Sequence, residues 1–166
     1  MAEEKNRLEG KRILIVDDEP DILEALSELL SMCDVTKATS FEEASALFGK
    51  KHFDMAILDI MGVNGYALLK IAVEKDVIPV MLTAHALNPE NTVKSFNKGA
   101  ASYVPKDEIS GITTFLNDVL EAQEKGKPLW WRWLDRFNAY YEKVFGEDWQ
   151  DHDKEFWEKF HKYYLY

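Results

Sequence analysis

One stretch limits what this chain can fold into more than any other: Phe53-Asp-Met-Ala-Ile-Leu-Asp59-Ile-Met-Gly-Val-Asn-Gly65. Met55 to Leu58 run apolar into a carboxylate, and glycines at 62 and 65 then break the chain. A short apolar run without alternation reads as a strand covered on both faces. Its closing Asp59 then stands at the rim outside the strand ends, where open α/β sheets place their ligands. An isolated Asp in that position also serves to end a strand or cap the following helix. The remaining strands decide between these readings.

Arg12 to Val16 is a second buried run and ends on Asp17-Asp18-Glu19-Pro20. Pro20 and Asp21 suit a helix start, and Ile22, Leu23, Leu26, Leu29 and Leu30 follow at helical spacing. Val35 to Ala38 is a weak strand, and Ser40-Phe-Glu-Glu43 is a capping box opening a helix that stops at Gly49. Tyr66, Leu68, Leu69 and Ile71 predict a third helix. Val77 to Leu82 is a strand ending on Thr83, and Asn88-Pro89 reads as N-cap and first residue of a fourth helix. Ala101 to Val104 is a strand ending on Pro105-Lys106, and Ile109 to Leu120 carries the stripe of a fifth helix.

Five strands alternating with five helices imply a doubly wound α/β fold, a parallel sheet with helices on both faces. The strand order expected for a sheet of this size is 2-1-3-4-5. That order brings Asp17, Asp18 and Asp59 to one rim, with Thr83 and Lys106 beside them. Three adjacent carboxylates repel unless a cation sits among them, and an oxygen-only set favours Mg²⁺ over zinc. Lys106 and Thr83 would offer a charge and a hydroxyl to an incoming anion, which together make a phosphoryl-acceptor site.

Those residues resemble the receiver domain of bacterial two-component response regulators, over about residues 11 to 126. The resemblance lies in the acidic pair Asp17-Asp18, the strand-end Asp59, Leu82-Thr83-Ala84, and Tyr103 ahead of Lys106. It implies that Asp59 accepts a phosphoryl group from a histidine kinase or phosphotransfer protein. It further implies Mg²⁺ on Asp18, Asp59 and the carbonyl of Met61, with Asp17 acting largely through water. Thr83 and Lys106 would bind phosphate oxygens, and Tyr103 would rotate inward as Thr83 moves, although a static core aromatic is also consistent with Tyr103. His85, two residues past Thr83, reads as a solvent-facing loop residue, with tuning of hydrolysis as the alternative. Two departures stand out: Gly65 follows Asp59 by six residues where the family usually has eight, and Pro105 precedes Lys106 where the family usually has it after. A haloacid-dehalogenase-type phosphatase also uses a strand-end Asp, but it needs a second one at the place of Met61.

Composition marks a boundary. Of 21 aromatic residues, 14 follow residue 127, all five tryptophans among them. The expected division is a receiver domain over 1–126 and an aromatic-rich helical hairpin over 127–166. Trp130, Trp133, Leu134, Phe137, Tyr140, Tyr141, Val144 and Phe145 keep helical spacing up to Gly146; Asp148 reads as the N-cap of a second helix. So short a unit rarely folds alone. The favoured expectation is a homodimer through residues 128–166, with docking on its own receiver as the alternative. A net charge of −10 lacks the basic footprint of a nucleic-acid binder, and no apolar run is long enough for a membrane span. The single Cys33 and the absence of a signal-peptide pattern fit a cytoplasmic protein. The expected function is signalling by protein contact, not enzymatic turnover of a separate substrate. The competing reading is a receiver-fold interaction scaffold with weak or no phosphorylation.

Overall fold

The computed structural model describes residues 6–84 and 87–164, the last three as backbone only. Its five strands are β1 (Arg12–Val16), β2 (Asp34–Ala38), β3 (Met55–Asp59), β4 (Ile78–Thr83) and β5 (Ser102–Pro105). Around them run α1 (Pro20–Leu29), α2 (Phe41–Lys50), α3 (Gly65–Glu74), α4 (Pro89–Asn97) and α5 (Ile112–Lys125). Two further helices, α6 (Trp133–Phe145) and α7 (Lys154–Tyr164), complete the described chain. The sheet is parallel in the order β2-β1-β3-β4-β5, as the alternation of strands and helices predicts.

Register fixes the rim. Val16 pairs with Leu58, so Asp17 and Asp59 both stand one residue beyond that pair. Asp59 itself pairs with Leu82, and Thr83 with Pro105, which puts Thr83 and Lys106 at the same end of the sheet. Proline is tolerated there because β5 is an edge strand and its missing donor faces no partner strand.

Local chemistry sets the helix ends. The Ser40 hydroxyl accepts the Glu43 N–H at 3.2 Å, while the Glu43 carboxylate accepts from the Thr39 hydroxyl, so the expected capping box closes on Thr39. Asn88 accepts from Asn91 N–H at 2.6 Å, with Pro89 as the first helical residue. Asn64 holds the left-handed conformation at the entry to α3, a region asparagine tolerates better than most residues. Gly126 takes the same conformation after α5, and the Lys127 N–H closes the helix on the Ala122 carbonyl.

The C-terminal hairpin is present, with one boundary moved. The cap of its second helix is Asp153, which accepts from the Phe156 N–H at 3.1 Å, so Asp148 and Trp149 belong to the connection. Its aromatic stripe is not left for a second copy. Trp133, Phe137, Tyr141, Trp149, Phe156, Trp157 and Phe160 are buried within the chain, against one another and against α4, β5 and α5. Concealment within one chain removes the reason for expecting a homodimer through residues 128–166. At roughly 1.5–3 kcal/mol per buried aromatic side chain, docking on the chain's own surface outweighs ordering a short helix pair. The two sheet edges record this directly: all four β5 residues are buried, whereas in β2 only Ala38 is.

Candidate functional site

The rim gathers one cation among several carboxylates. Asp17, with no exposed surface, and Asp59, 5% exposed, end adjacent strands. The Lys106 ammonium lies 3.0 Å from Asp17 Oδ2, 2.9 Å from Glu19 Oε1 and 3.4 Å from Asp59 Oδ1. Burial alone would pull the Lys106 pKa down, yet hydrogen bonds to Glu19 and Asp17 and the charges of Asp17 and Asp59 hold it above the ordinary lysine value. Asp17 is pushed up, first by burial and then by the Asp59 charge; the Glu19 N–H and Lys106 offset part of that. Lys106 reaches the rim although its proline stands before it. Among the described residues there is no cis peptide bond, and a 3₁₀ turn from Lys106 to Gly111 follows β5 directly, with the lysine as its first residue.

Asp59 and Asp18 are shaped by the loop that follows β3. The Gly62 N–H donates to Asp59 Oδ2 at 3.2 Å. A side chain at Gly62 would collide with the Asp18 carboxyl, so the glycine lets the loop approach that group. Gly65 has a different duty: a Cβ there would strike the backbone of Asp59 and Ile60. The loop shortened relative to the family pattern therefore still packs closely under both acids. The Met61 side chain points out, 64% exposed.

One oxygen each from Asp17, Asp18 and Glu19 lies within 4.8 Å of the others. Asp17 Oδ2 makes no hydrogen bond of good geometry, although it sits at ion-pair distance from Lys106. An all-oxygen set with a glycine cradle beside Asp18 fits a hard divalent ion. Asp59 shares Lys106 with this set rather than belonging to the close triple. Glu19 was not singled out from the sequence, although its place in the run Asp17-Asp18-Glu19 was the available signal.

Thr83, 1% exposed, closes β4, and its side chain acts on the fully buried Tyr103 hydroxyl. Tyr103 stands near Thr83, on the neighbouring strand. Its pKa is raised, by burial above all. His85 lies outside the described residues. A cavity of about 340 Å³, lined by Arg12, Asp34, Thr36 and Lys50 to Phe53, opens at the opposite end of the sheet and holds none of the rim residues. No described helix is long and apolar enough to cross a membrane.

The comparisons agree with this geometry. Residues 13–115 match the family model of the response regulator receiver domain. A two-component response regulator of Arabidopsis thaliana is 35% identical over 103 residues, covering 58% of this chain and 16% of that protein. The regulatory protein VanRB of Enterococcus faecalis is 30% identical over 99 residues, covering 57% of this chain and 45% of the relative. The chain therefore spans less than half the length of these relatives. Among solved structures, a CheY-like receiver domain protein of Methanospirillum hungatei superposes with a TM-score of 0.63 at 30% identity, over 70% of this chain and 98% of that one. DrrB of Thermotoga maritima gives 0.61 at 26%, over 72% and 55%. With the family model matching more than half of its length, the chain belongs to the response regulator receiver domain family.

Proposed function

We propose that this protein signals through phosphorylation of Asp59 by a histidine kinase or histidine phosphotransfer protein, and passes the change on by protein contact. The observation that carries the reading is a nearly buried strand-end carboxylate whose two oxygens face a lysine ammonium and a backbone N–H. Asp59 Oδ1 would form the new P–O bond as the P–N bond to the donor imidazole breaks, and the imidazole would leave with a proton. Lys106 and Thr83 supply the charge and the donor that receive the phosphoryl oxygens. Asp17, Asp18, Asp59 and the Met61 carbonyl, with Glu19 added, are the groups that would hold Mg²⁺. When bound, that ion would neutralise the charge gathered on the phosphoryl group.

Tyr103 serves as the switch residue beside Thr83, residues 1–126 form the receiver unit, and residues 127–166 form an extension carried on it. The setting is the cytoplasm and the downstream partner is a protein. Turnover is confined to the chain's own Asp59. Intact mass after incubation with acetyl phosphate and Mg²⁺ tests the reading: the wild type gains one phosphoryl group and Asp59→Asn gains none. Labelling of the variant to the same extent would move the acceptor elsewhere. Absence of labelling in both would favour the interaction-scaffold reading.

A further inference from the structure

The end of the sheet away from the rim gathers cations that form no ion pair among the described residues. Arg12 opens β1 and pairs in register with Asp34, which opens β2. Thr36 stands two residues along β2 and so on the same face as Asp34. Facing the same cavity, α2 stops at Lys50, and an extended Lys51 leads the chain through His52 to Phe53. Phe53 is buried edge-on against Phe48, with ring centres 6.0 Å apart, so this wall is fixed by the core. Together these elements enclose the cavity of about 340 Å³. A lysine at the end of a helix is accounted for by the helix dipole. Arg12, at the start of a strand, and Lys51, beyond the helix, are not. Neither they nor Lys50 are ion-paired among the described residues, and even Asp34, beside Arg12 in the sheet, does not take it. Three cations thus line the cavity with one carboxylate, in a chain whose net charge is −10.

We propose that this cavity binds a small ligand with two or more phosphates on a hydroxyl-bearing sugar, the chemistry of a nucleoside diphosphate. Arg12 offers a planar fork matched to phosphate oxygens, and Lys50 and Lys51 offer point charges. The Thr36 hydroxyl and an N–H of the His52 ring add donors. The volume lies within the range of small-molecule sites, and it is too large for a single phosphate to touch the cations of both walls. Two linked phosphates can reach from Arg12 to the lysines. Asp34 disfavours a bare polyphosphate by repulsion, and its oxygens accept from hydroxyls, so it selects a ligand with a sugar. The site is separate from the phosphoryl acceptor: β1 spans five residues, so roughly 16 Å lie between Arg12 and Asp17 at the rim. Binding here therefore stands or falls independently of phosphorylation at Asp59.

Titration of the full chain with ADP in EDTA, followed through amide NMR shifts, tests the proposal. The chelator keeps the acidic rim from capturing the nucleotide through a metal. ADP should shift the amides of Arg12, Asp34 to Thr36 and Lys50 to Phe53, and leave those of Asp17 and Asp59 in place. Pyrophosphate should shift the same amides at lower affinity, and orthophosphate at lower affinity still. Arg12→Gln and Lys51→Gln replace exposed side chains that have no ion pair to lose. Each should keep the wild-type melting temperature and weaken ADP roughly tenfold, the weight of one hydrogen bond to a charged group. Asp34→Ala should narrow the margin of ADP over pyrophosphate. Wild-type affinity in both glutamine variants, or shifts spread over lysines elsewhere, overturns the site. No shift at millimolar ADP overturns it as well. Pyrophosphate binding as tightly as ADP, or an unchanged margin in Asp34→Ala, overturns the sugar-bearing ligand. A hexaglutamate peptide held at these residues more tightly than ADP makes the cavity a protein contact and overturns the proposal.

Discussion

Lys106 reaches the buried Asp17 carboxylate at 3.0 Å from a segment in which proline comes before the lysine. Asp17 also accepts the Glu19 N–H at 2.8 Å, so the ammonium and one backbone donor are what keep this charge in place. Lys106→Met should therefore leave a buried carboxylate without its counter-charge and cost roughly 3 kcal/mol in urea unfolding. Asp17→Asn in the same chain should restore most of that loss. A double variant as unstable as the single one would show that the lysine acts by packing instead.

The two loop glycines should separate stability from metal binding. Gly62→Ala pushes on the Asp18 carboxyl, the end of an exposed side chain that can swing away. Its stability should stay within about 0.5 kcal/mol of the wild type, while the Mg²⁺-induced rise in melting temperature falls sharply. Gly65→Ala pushes on backbone that cannot yield, and should cost roughly 1–3 kcal/mol without metal. Asp18→Ala gives the reference for complete loss of the Mg²⁺ response.

Acid should weaken the grip of the receiver on its tail through Glu121. That carboxylate binds Lys125 at 3.0 Å and Arg132 of the tail at 3.2 Å. The Lys125 hydrogen bond first, and Arg132 after it, hold its pKa below the ordinary 4.5. A lowered folded value means the contribution is complete above 4.5 and disappears as pH falls through the folded value. The advantage of wild type over Glu121→Gln should thus be at most about 1 kcal/mol near neutrality and should vanish in acid. Melting curves of both chains across that range measure it; a difference that grows in acid would contradict the assignment.

Two tryptophans of the tail should respond differently to the same substitution. Trp133 donates to the Tyr103 carbonyl, whereas the Trp157 indole N–H is buried without a hydrogen-bond partner. Trp133→Phe strands a carbonyl, at roughly 1–3 kcal/mol beyond lost packing. Trp157→Phe gives up only packing and removes an unpaired donor, so it should be the milder change. Thermal unfolding of the two variants decides the order.

The sheet and its rim were readable because they rest on local rules. Apolar runs such as Ile13 to Val16 and Met55 to Leu58 can only be buried strands, and their order then fixes where Asp17, Asp59, Thr83 and Lys106 meet. The transposed proline did not displace Lys106, since a lysine stem spans several ångströms and adapts to its anchor. Glu19 escaped notice because its role depends on reach across to Lys106, which spacing along one chain does not reveal. The tail was legible as two amphipathic helices but not in its destination. Periodicity in Trp133, Phe137 and Tyr141 says that a face is covered, not what covers it. The answer lay in α4, where Thr92 and Phe96 are buried on the side turned to the tail, and a polar helix with one such pair gives little warning.

Trp133 also closes an opening in the sheet. An edge strand normally presents unpaired carbonyls and N–H groups on which another extended chain can assemble. Here the Tyr103 carbonyl is taken, and the strand beneath the helix pair is wholly covered. A chain cut at Gly126 would lose that cover along with the tail. Its β5 edge would become a template for adding strands, so the shorter protein should be the more prone of the two to self-association at high concentration.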